Sequence, residues 1–243
     1  MRVLSLDTTT RGGSVALVDD GGVVEERCGD PSRTHAQRLP GEILSLLDAN
    51  AVPMSAIDVF GVASGPGSFT GLRIGIATIQ GVAFVHRRPI AAVSALRALG
   101  AAGGRDAQPG DVVGAWMDAH RRDVFSALYR VGAANPDDAD RLVELESPMV
   151  GDPIATLERW RPLLAGATTM VGDGAILYAD TIDRGLPSPY RIVRPTPLLA
   201  GAIGRMALVL ARSGIIVDAG GVQPLYVRRP DAELDRERKK AVG

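Results

Sequence analysis

Residues 65–85 read GPGSFTGLRIGIATIQGVAFV, a glycine-rich loop running into a long apolar segment. At roughly 100° per residue, the segment from about 71 to 85 is predicted as a helix with two apolar faces. Ile74, Thr78, Gly81 and Val85 share one face, and Leu72, Ile76, Ile79 and Ala83 the opposite one. Arg73 and Gln80 form its only polar stripe, with Phe84 beside them. A helix apolar all round must be covered all round. The small residues Gly75, Ala77 and Gly81 let one face pack closely on a sheet. A lobe made from half this chain leaves little to cover the other, and a wet Leu72, Ile76 and Ile79 would forfeit roughly 1.5–3 kcal/mol each. Either a first helix expected at 35–49 covers that face completely, or both helices belong to a partner interface.

The loop fits no named phosphate motif. Gly65 and Gly71 are not followed by the Lys of a Walker A loop. Gly65, Gly67 and Gly71 are spaced one residue too widely for a dinucleotide fingerprint, and Pro66 and Thr70 stand where a nucleophile elbow needs glycines. Pro66-Gly67 turns the chain, and Ser68 or Thr70 caps the helix. A helix N-terminus attracts anions weakly, so anion binding and a plain helix start both stay open.

Elsewhere the pattern is α/β. Residues 3–8 (VLSLDT), 14–19 and 23–27 read as an antiparallel meander, its hairpin at Asp20-Gly21-Gly22. Thr34 caps a helix over 35–49, with Leu39, Ile43, Leu46 and Leu47 on one stripe. Pro40-Gly41 either kinks that helix or starts it late. Strands follow at 59–63 and 89–93, and Ser94 caps a short helix to 99. The Ala-, Gly-, Asp- and Pro-rich stretch 100–110 is the expected boundary. Beyond it come strands at 112–117, 124–129 and 142–145, a helix near 154–160, a strand at 168–171, a helix near 175–182, and a helix at 198–212 capped by Thr196. The second half echoes the first, which implies two similar lobes with mixed sheets, 1–106 and 107–228. The helix at 198–212 is a candidate to pack back on the first lobe. Residues 229–243, charged and mixed in sign, are expected to be a mobile tail.

Several functions are disfavoured by composition. A formal net charge of −1 gives no global positive field for nucleic acid, and the basic patches at 228–229 and 236–240 are interleaved with acids and lack aromatics. One cysteine, Cys28, excludes an intrachain disulfide framework and fits a reducing cytosol. The opening residues carry Asp7 where a signal peptide needs an apolar core. The apolar run 74–85 is shorter than the roughly 20 residues that span a bilayer. A cytoplasmic protein with no membrane contact is expected.

Candidate chemistry is sparse. Asp7-Thr8-Thr9-Thr10 ends a strand and could hold a phosphate or the water shell of a magnesium ion, or simply satisfy its own turn. His35 has Leu39 four residues on, so an i, i+4 metal pair is missing. His120 lies in a charged strand-to-strand turn. Asp118 and Asp123 could pair as acid and base, but nothing positions a nucleophile between them.

Six segments together carry a resemblance that spans nearly the whole chain: 3–10, THAQRLP at 34–40, GPGSFTGLRIGIATIQGVA at 65–83, 118–129, Gly172-Asp173-Gly174 and 224–228. They resemble the bacterial TsaB (YeaZ) family. The resemblance implies a two-lobed actin-like, sugar-kinase-like (ASKHA) fold and kinship with TsaD, which transfers threonylcarbamoyl to the adenosine beside the tRNA anticodon. TsaD-type proteins carry a His-x-x-x-His metal pair; here its second position is Leu39, so the chain resembles the paralogue without metal, cofactor or active site. The implied role is to bind and support TsaD, with the ATP-hydrolysing TsaE as a further partner, tRNA contact only through the complex, and self-pairing when alone. The implied interface is the first two helices, with Leu39, Ile43, Leu46, Leu72, Ile76, Ile79 and Ala83 at its centre and Arg38, Arg73 and Gln80 at its rim. On that basis Ile76→Asp should spare the fold and abolish binding. Asp7, Thr8 and Thr9 correspond to a phosphate loop that is degenerate in this family. The sequence departs from the family at Asp118-Ala119-His120, usually Asp-Ala-Arg, and at Asp123-Val124-Phe125, often Glu-Val-Tyr. The alternatives are a nucleotide-dependent kinase or ATPase using Asp7 and residues 8–10, and a metallopeptidase.

Overall fold

Two five-stranded mixed sheets with the same strand order organise the chain. The computed structural model describes residues 1–134, 141–187, 189–194 and 196–228; the expected tail at 229–243 lies outside them. The first sheet is built from β1 (Val3–Asp7), β2 (Ser14–Asp19), β3 (Gly22–Cys28), β4 (Val59–Gly65) and β5 (Ile90–Ser94), in the order β3-β2-β1-β4-β5. β1 to β3 are an antiparallel meander, and β4 and β5 run parallel to β1. The second sheet repeats this arrangement with β6 (Val112–Asp118), β7 (Val124–Val131), β8 (Leu142–Gly151), β9 (Thr168–Val171) and β10 (Tyr190–Ile192), in the order β10-β9-β6-β7-β8. The echo read from the sequence is therefore a repeated topology, and the fold is the two-lobed actin-like one.

The helices form three layers around the sheets. α1 (His35–Ala49) and α2 (Phe69–His86) cover the outer face of the first sheet, sharing a core with Leu4, Leu6, Val15, Leu17, Phe60 and Val62. α3 (Ala95–Gly103) and α7 (Ala200–Arg212) lie between the sheets, where Leu96, Leu99 and Ile203 meet Ala63 and Val93 on one side and Val113, Ala115 and Tyr129 on the other. α4 (Pro153–Trp160), α5 (Asp173–Leu177) and α6 (Ala179–Gly185) flank the second sheet, with Trp160, Leu157 and Ile182 against Trp116 and Leu128. Among the described residues no helix is long and apolar enough to cross a membrane.

Local signals set several of these elements. α1 starts at the expected residue, and Gln37 Oε1 accepts from the Thr34 N–H at 3.1 Å, half of a capping box. The helix runs through Pro40, which sits with Gly41 on the exposed flank, where water can take the carbonyl that a Pro40 N–H would have met. α3 extends into the stretch expected to be a boundary, ending at Gly103, because Ala98, Leu99, Gly100 and Gly103 are buried between the sheets. Thr196 does not cap the last helix. Ser14 Oγ of β2 accepts from the Leu199 and Ala200 N–H groups at 3.3 and 2.9 Å, and the Glu26 carboxylate of β3 accepts from Gly201 at 2.8 Å. α7 packs along β1, β2 and β4, with Ser5 Oγ donating to Ala200 O at 2.7 Å.

The faces of α1 and α2 are reversed from the expectation. Leu39, Ile43, Leu46, Leu72, Ile76, Ile79 and Ala83 are all buried in the chain's own core and present nothing to a partner. Arg38 is buried too, not at a rim. Two glycines fix the rotation of α2. A Cβ on Gly71 would stand 2.0 Å from Thr8 O, and one on Gly75 2.1 Å from Thr8 Oγ1, so only glycines let this face approach β1. The expected effect of Ile76→Asp is therefore loss of fold. Burying an unpaired carboxylate there should cost roughly 3 kcal/mol or more, read as collapse of the urea unfolding midpoint; an unchanged midpoint would contradict this packing.

Candidate functional site

A cleft of about 1280 Å³ opens between the two lobes. Its first-lobe wall combines residues 9–11, the loop 31–35 and the GPGSFTG loop with the first turn of α2. Its second-lobe wall holds 118–120, Phe125 and Asp173, and the segment 225–228 closes one side. Arg11, Arg33, Arg73 and Arg228 line it against two acids, Asp118 and Asp173, a balance that suits an anionic ligand.

The acids are already engaged. Asp173 Oδ1 accepts from the Asp118 and Gly174 N–H groups at 3.0 and 2.9 Å. Asp118 Oδ1 accepts from the His120 N–H at 2.8 Å, while Asp123 takes the Arg228 guanidinium. No acid–base pair forms from Asp118 and Asp123.

The turn after β1 is also closed on itself. Asp7 is buried; its Oδ1 accepts from the Thr9 N–H at 2.8 Å and from the Thr9 hydroxyl, and its Oδ2 from Thr10 Oγ1 at 3.4 Å. Thr8 is buried against α2. Ser68 N–H donates to Thr9 O at 2.9 Å and Ser68 Oγ accepts from the Gly71 N–H at 3.2 Å, so the GPGSFTG loop is tied to the Asp7 turn and caps its own helix. Burial raises the Asp7 carboxyl above its ordinary 3.8, against the lowering effect of the Thr9 and Thr10 hydrogen bonds.

His35 shows why a metal would find little purchase. Its Nε2 lies 3.0 Å from Thr10 O, which can only accept, so that nitrogen carries the proton. Its Nδ1 then accepts from Arg38 Nη2 at 2.8 Å. Arg38 Nη1 also reaches both Glu42 oxygens at 2.7 Å, and its Nη2 donates to Gly12 O. Both ring nitrogens are in use, and burial together with the Arg38 charge holds the imidazole below its usual titration range. Among the described residues no group of three or more His, Cys, Asp or Glu is arranged to hold a metal ion.

A second feature lies on the outer surface of α1 and α2. With the buried stripe turned inward, Phe84 is 78% and Val85 73% exposed, and Leu44 of α1 is 56% exposed. Gly41 and Gly81 face open space. Arg73 and Gln80 touch the chain's own C-terminal segment: Arg73 Nε donates to the Tyr226 hydroxyl at 3.1 Å, and Gln80 Nε2 to Val222 O at 3.4 Å. Sequence reasoning noted Phe84 and Val85 but took the wrong face as the uncovered one. Leu44 goes unremarked in the sequence, and Tyr226 and Arg228 enter only through the segment 224–228; the available signal for the exposed face is the pair of large apolar residues in the last turn of α2.

Comparison with known proteins places the chain in a family. The model of the family described as TsaD, tRNA N6-adenosine threonylcarbamoyltransferase, matches residues 13–144. The chain is 31% identical over 240 residues to the tRNA threonylcarbamoyladenosine biosynthesis protein TsaB of Bacillus subtilis, covering 96% of each protein. The chain belongs to the TsaB (YeaZ) family. It is also 36% identical to TsaB of Escherichia coli over 132 residues, 54% of this chain and 55% of that protein. The solved structure of YeaZ from Pseudomonas aeruginosa superposes with a TM-score of 0.74 at 29% identity, over 93% of this chain and 99% of that one. The first helix and the Gly-rich loop of this TsaB-family chain both fall inside the TsaD-type match.

The raised Asp7 carboxyl gives a pH signature. A carboxyl raised in the folded state contributes stability at low pH that is lost as pH rises through its folded value. The melting temperature of Asp7→Asn relative to wild type is therefore expected to increase from pH 4 to pH 8. A difference that stays flat, or falls, would mean that Asp7 is not charged at a cost in the fold.

Proposed function

We propose that this chain is a non-catalytic subunit of the machinery that makes threonylcarbamoyladenosine in tRNA, and that it binds and supports a TsaD homologue in the cytoplasm. TsaB relatives named as threonylcarbamoyladenosine biosynthesis proteins support that reading. The observation that carries the docking role is the outer surface of α1 and α2. Phe84, Val85 and Leu44 lie exposed there beside glycines that leave room for another helix. Covering side chains of this kind is worth roughly 1.5–3 kcal/mol each. The helices proposed from the sequence are retained, with the contact moved to the face opposite Leu72, Ile76 and Ile79. The two lobes divide the work: the first, 1–106 together with α7 and residues 222–226 that pack on it, carries the docking face, and the rest of 107–228 builds the far wall of the cleft. A TsaE homologue joins the assembly, tRNA is reached through it, and the same surface pairs two copies of this chain when TsaD is absent.

A kinase or ATPase reading has less support. It needs the Asp7 carboxylate free in the cleft, and that carboxylate is buried and held by Thr9 and Thr10.

The test is co-elution with the TsaD homologue of the same organism on size exclusion. Phe84→Asp is expected to abolish co-elution while leaving the melting temperature within a few degrees, and to remove stimulation of tRNA modification in a reconstitution with tRNA, TsaD, TsaE and threonylcarbamoyl-adenylate. Undiminished co-elution of Phe84→Asp would overturn the docking face. Full modification without this chain would overturn the role.

A further inference from the structure

The segment 222–228 crosses from one lobe to the other over the side of the cleft. On the first lobe Val222 is buried in the core beneath α2, and its carbonyl accepts from Gln80 Nε2 at 3.4 Å. Leu225 N–H donates to Ser64 O at the end of β4 at 2.7 Å. The Tyr226 ring lies 5.3 Å from that of Phe69, its hydroxyl accepts from Arg73 Nε at 3.1 Å, and the Arg73 guanidinium sits 4.0 Å above the Phe69 ring. Two residues later, Arg228 is on the second lobe. Its Nη1 donates to Ala119 O at 2.7 Å, its Nη2 to the Asp123 carboxylate, and its guanidinium lies 5.9 Å from the centre of the Phe125 ring.

The two acceptors that Arg228 holds bracket an unusual turn. His120, Arg121 and Arg122 have φ of 56°, 55° and 70°, three consecutive L-residues in the left-handed region. Each is disfavoured by contact between Cβ and the following carbonyl, and such residues persist only where the surroundings over-determine them. The Ala119 N–H donates to Asp123 O at 3.1 Å and the Asp123 N–H to His120 O at 3.0 Å, closing the turn. Arg228 spans its two ends from outside. α3 and α7 already join the lobes in the layer between the sheets, so a second tie at the cleft fixes the gap rather than merely connecting the halves.

We propose that 222–228 is a clasp that sets the separation of the two lobes, and that Arg228 is its latch. With the latch engaged, the strained turn 119–123 is held against the first lobe and the cleft has the width seen here. With it released, the turn relaxes and the lobes part about the α3–α7 layer. Because the first-lobe end grips Arg73 and Gln80 of α2, movement of that helix is transmitted to the cleft. The clasp stands on the geometry of this chain alone and does not depend on what docks on α2.

The experiment uses the full chain with Arg228→Ala, followed by amide hydrogen exchange and by the distance between spin labels at Asp48→Cys and Glu158→Cys in a Cys28→Ser background. Both label sites are exposed, one on each lobe. The expected result is at least tenfold faster exchange across 119–123, unchanged exchange in β1 and β2, and a label distance that broadens toward longer values. Arg228→Lys should restore part of both. If circular dichroism shows Arg228→Ala unfolded, Arg228→Lys and Asp123→Asn carry the same readouts with smaller changes in the same direction. Exchange within twofold of wild type together with unchanged distances overturns the proposal. Faster exchange at an unchanged distance overturns the clasp as well, leaving Arg228 a staple of the turn alone. A uniform rise that includes β1 and β2 reads as global loosening and counts against it.

Discussion

The seating of α7 on the first sheet is the constraint from which the rest follows. The helix comes from near the end of the described chain, yet its N-terminus is capped by Ser14 and Glu26 of the first meander. It approaches closely because glycines meet it. A Cβ on Gly204 would stand 2.4 Å from Val18, and one on Gly61 3.1 Å from Ala207. The buried N-terminus of α7 and the buried Ser5 hydroxyl are satisfied by the same contacts, which is the condition for burying them at all. Once α7 is fixed, α3 fills the space beside it and the two sheets share one core. The lobes are then a single body at the back, and only the front is free to form a cleft.

That arrangement also explains α2. Its core is completed by the sheet, by α1, and by Val222 from the C-terminal segment. The helix is apolar on two sides for two reasons. One side is core, pressed on β1 through Gly71 and Gly75; the other is exposed, with Phe84 and Val85 in the last turn. A helical wheel shows both sides and does not rank them. The ranking comes from which glycines meet backbone and which meet open space, a property of the assembled sheet.

The cleft has the wall positions of an actin-like fold with its chemistry turned inward. Asp7 serves its own turn, His35 serves Thr10 and Arg38, and the acids of the second lobe serve backbone N–H groups and Arg228. Arginines, aromatic rings and the hydroxyls of Ser32, Thr34 and Thr70 share the rest of the lining.

Short-range physics made much of this legible in the chain itself. The span of α1 follows from Thr34, Gln37 and the spacing of Leu39, Ile43 and Leu46; β9 and the hairpin at Asp20-Gly21-Gly22 follow from local runs and turn residues. The repeated order of strands and helices implied two like lobes because consecutive elements pair with neighbours. Other features depend on partners far away in sequence. β10 is three residues that become a strand only beside β9, and the 175–182 stretch breaks into α5 and α6. The cap of α7, the inward face of α2, the burial of Arg38 and the grip of Arg228 on the 119–123 turn are decided by contacts that exist only after the chain has closed. Periodicity records that a residue is apolar or charged; the neighbour that satisfies it is supplied by the tertiary structure, because burial and hydrogen bonding act through space and not along the chain.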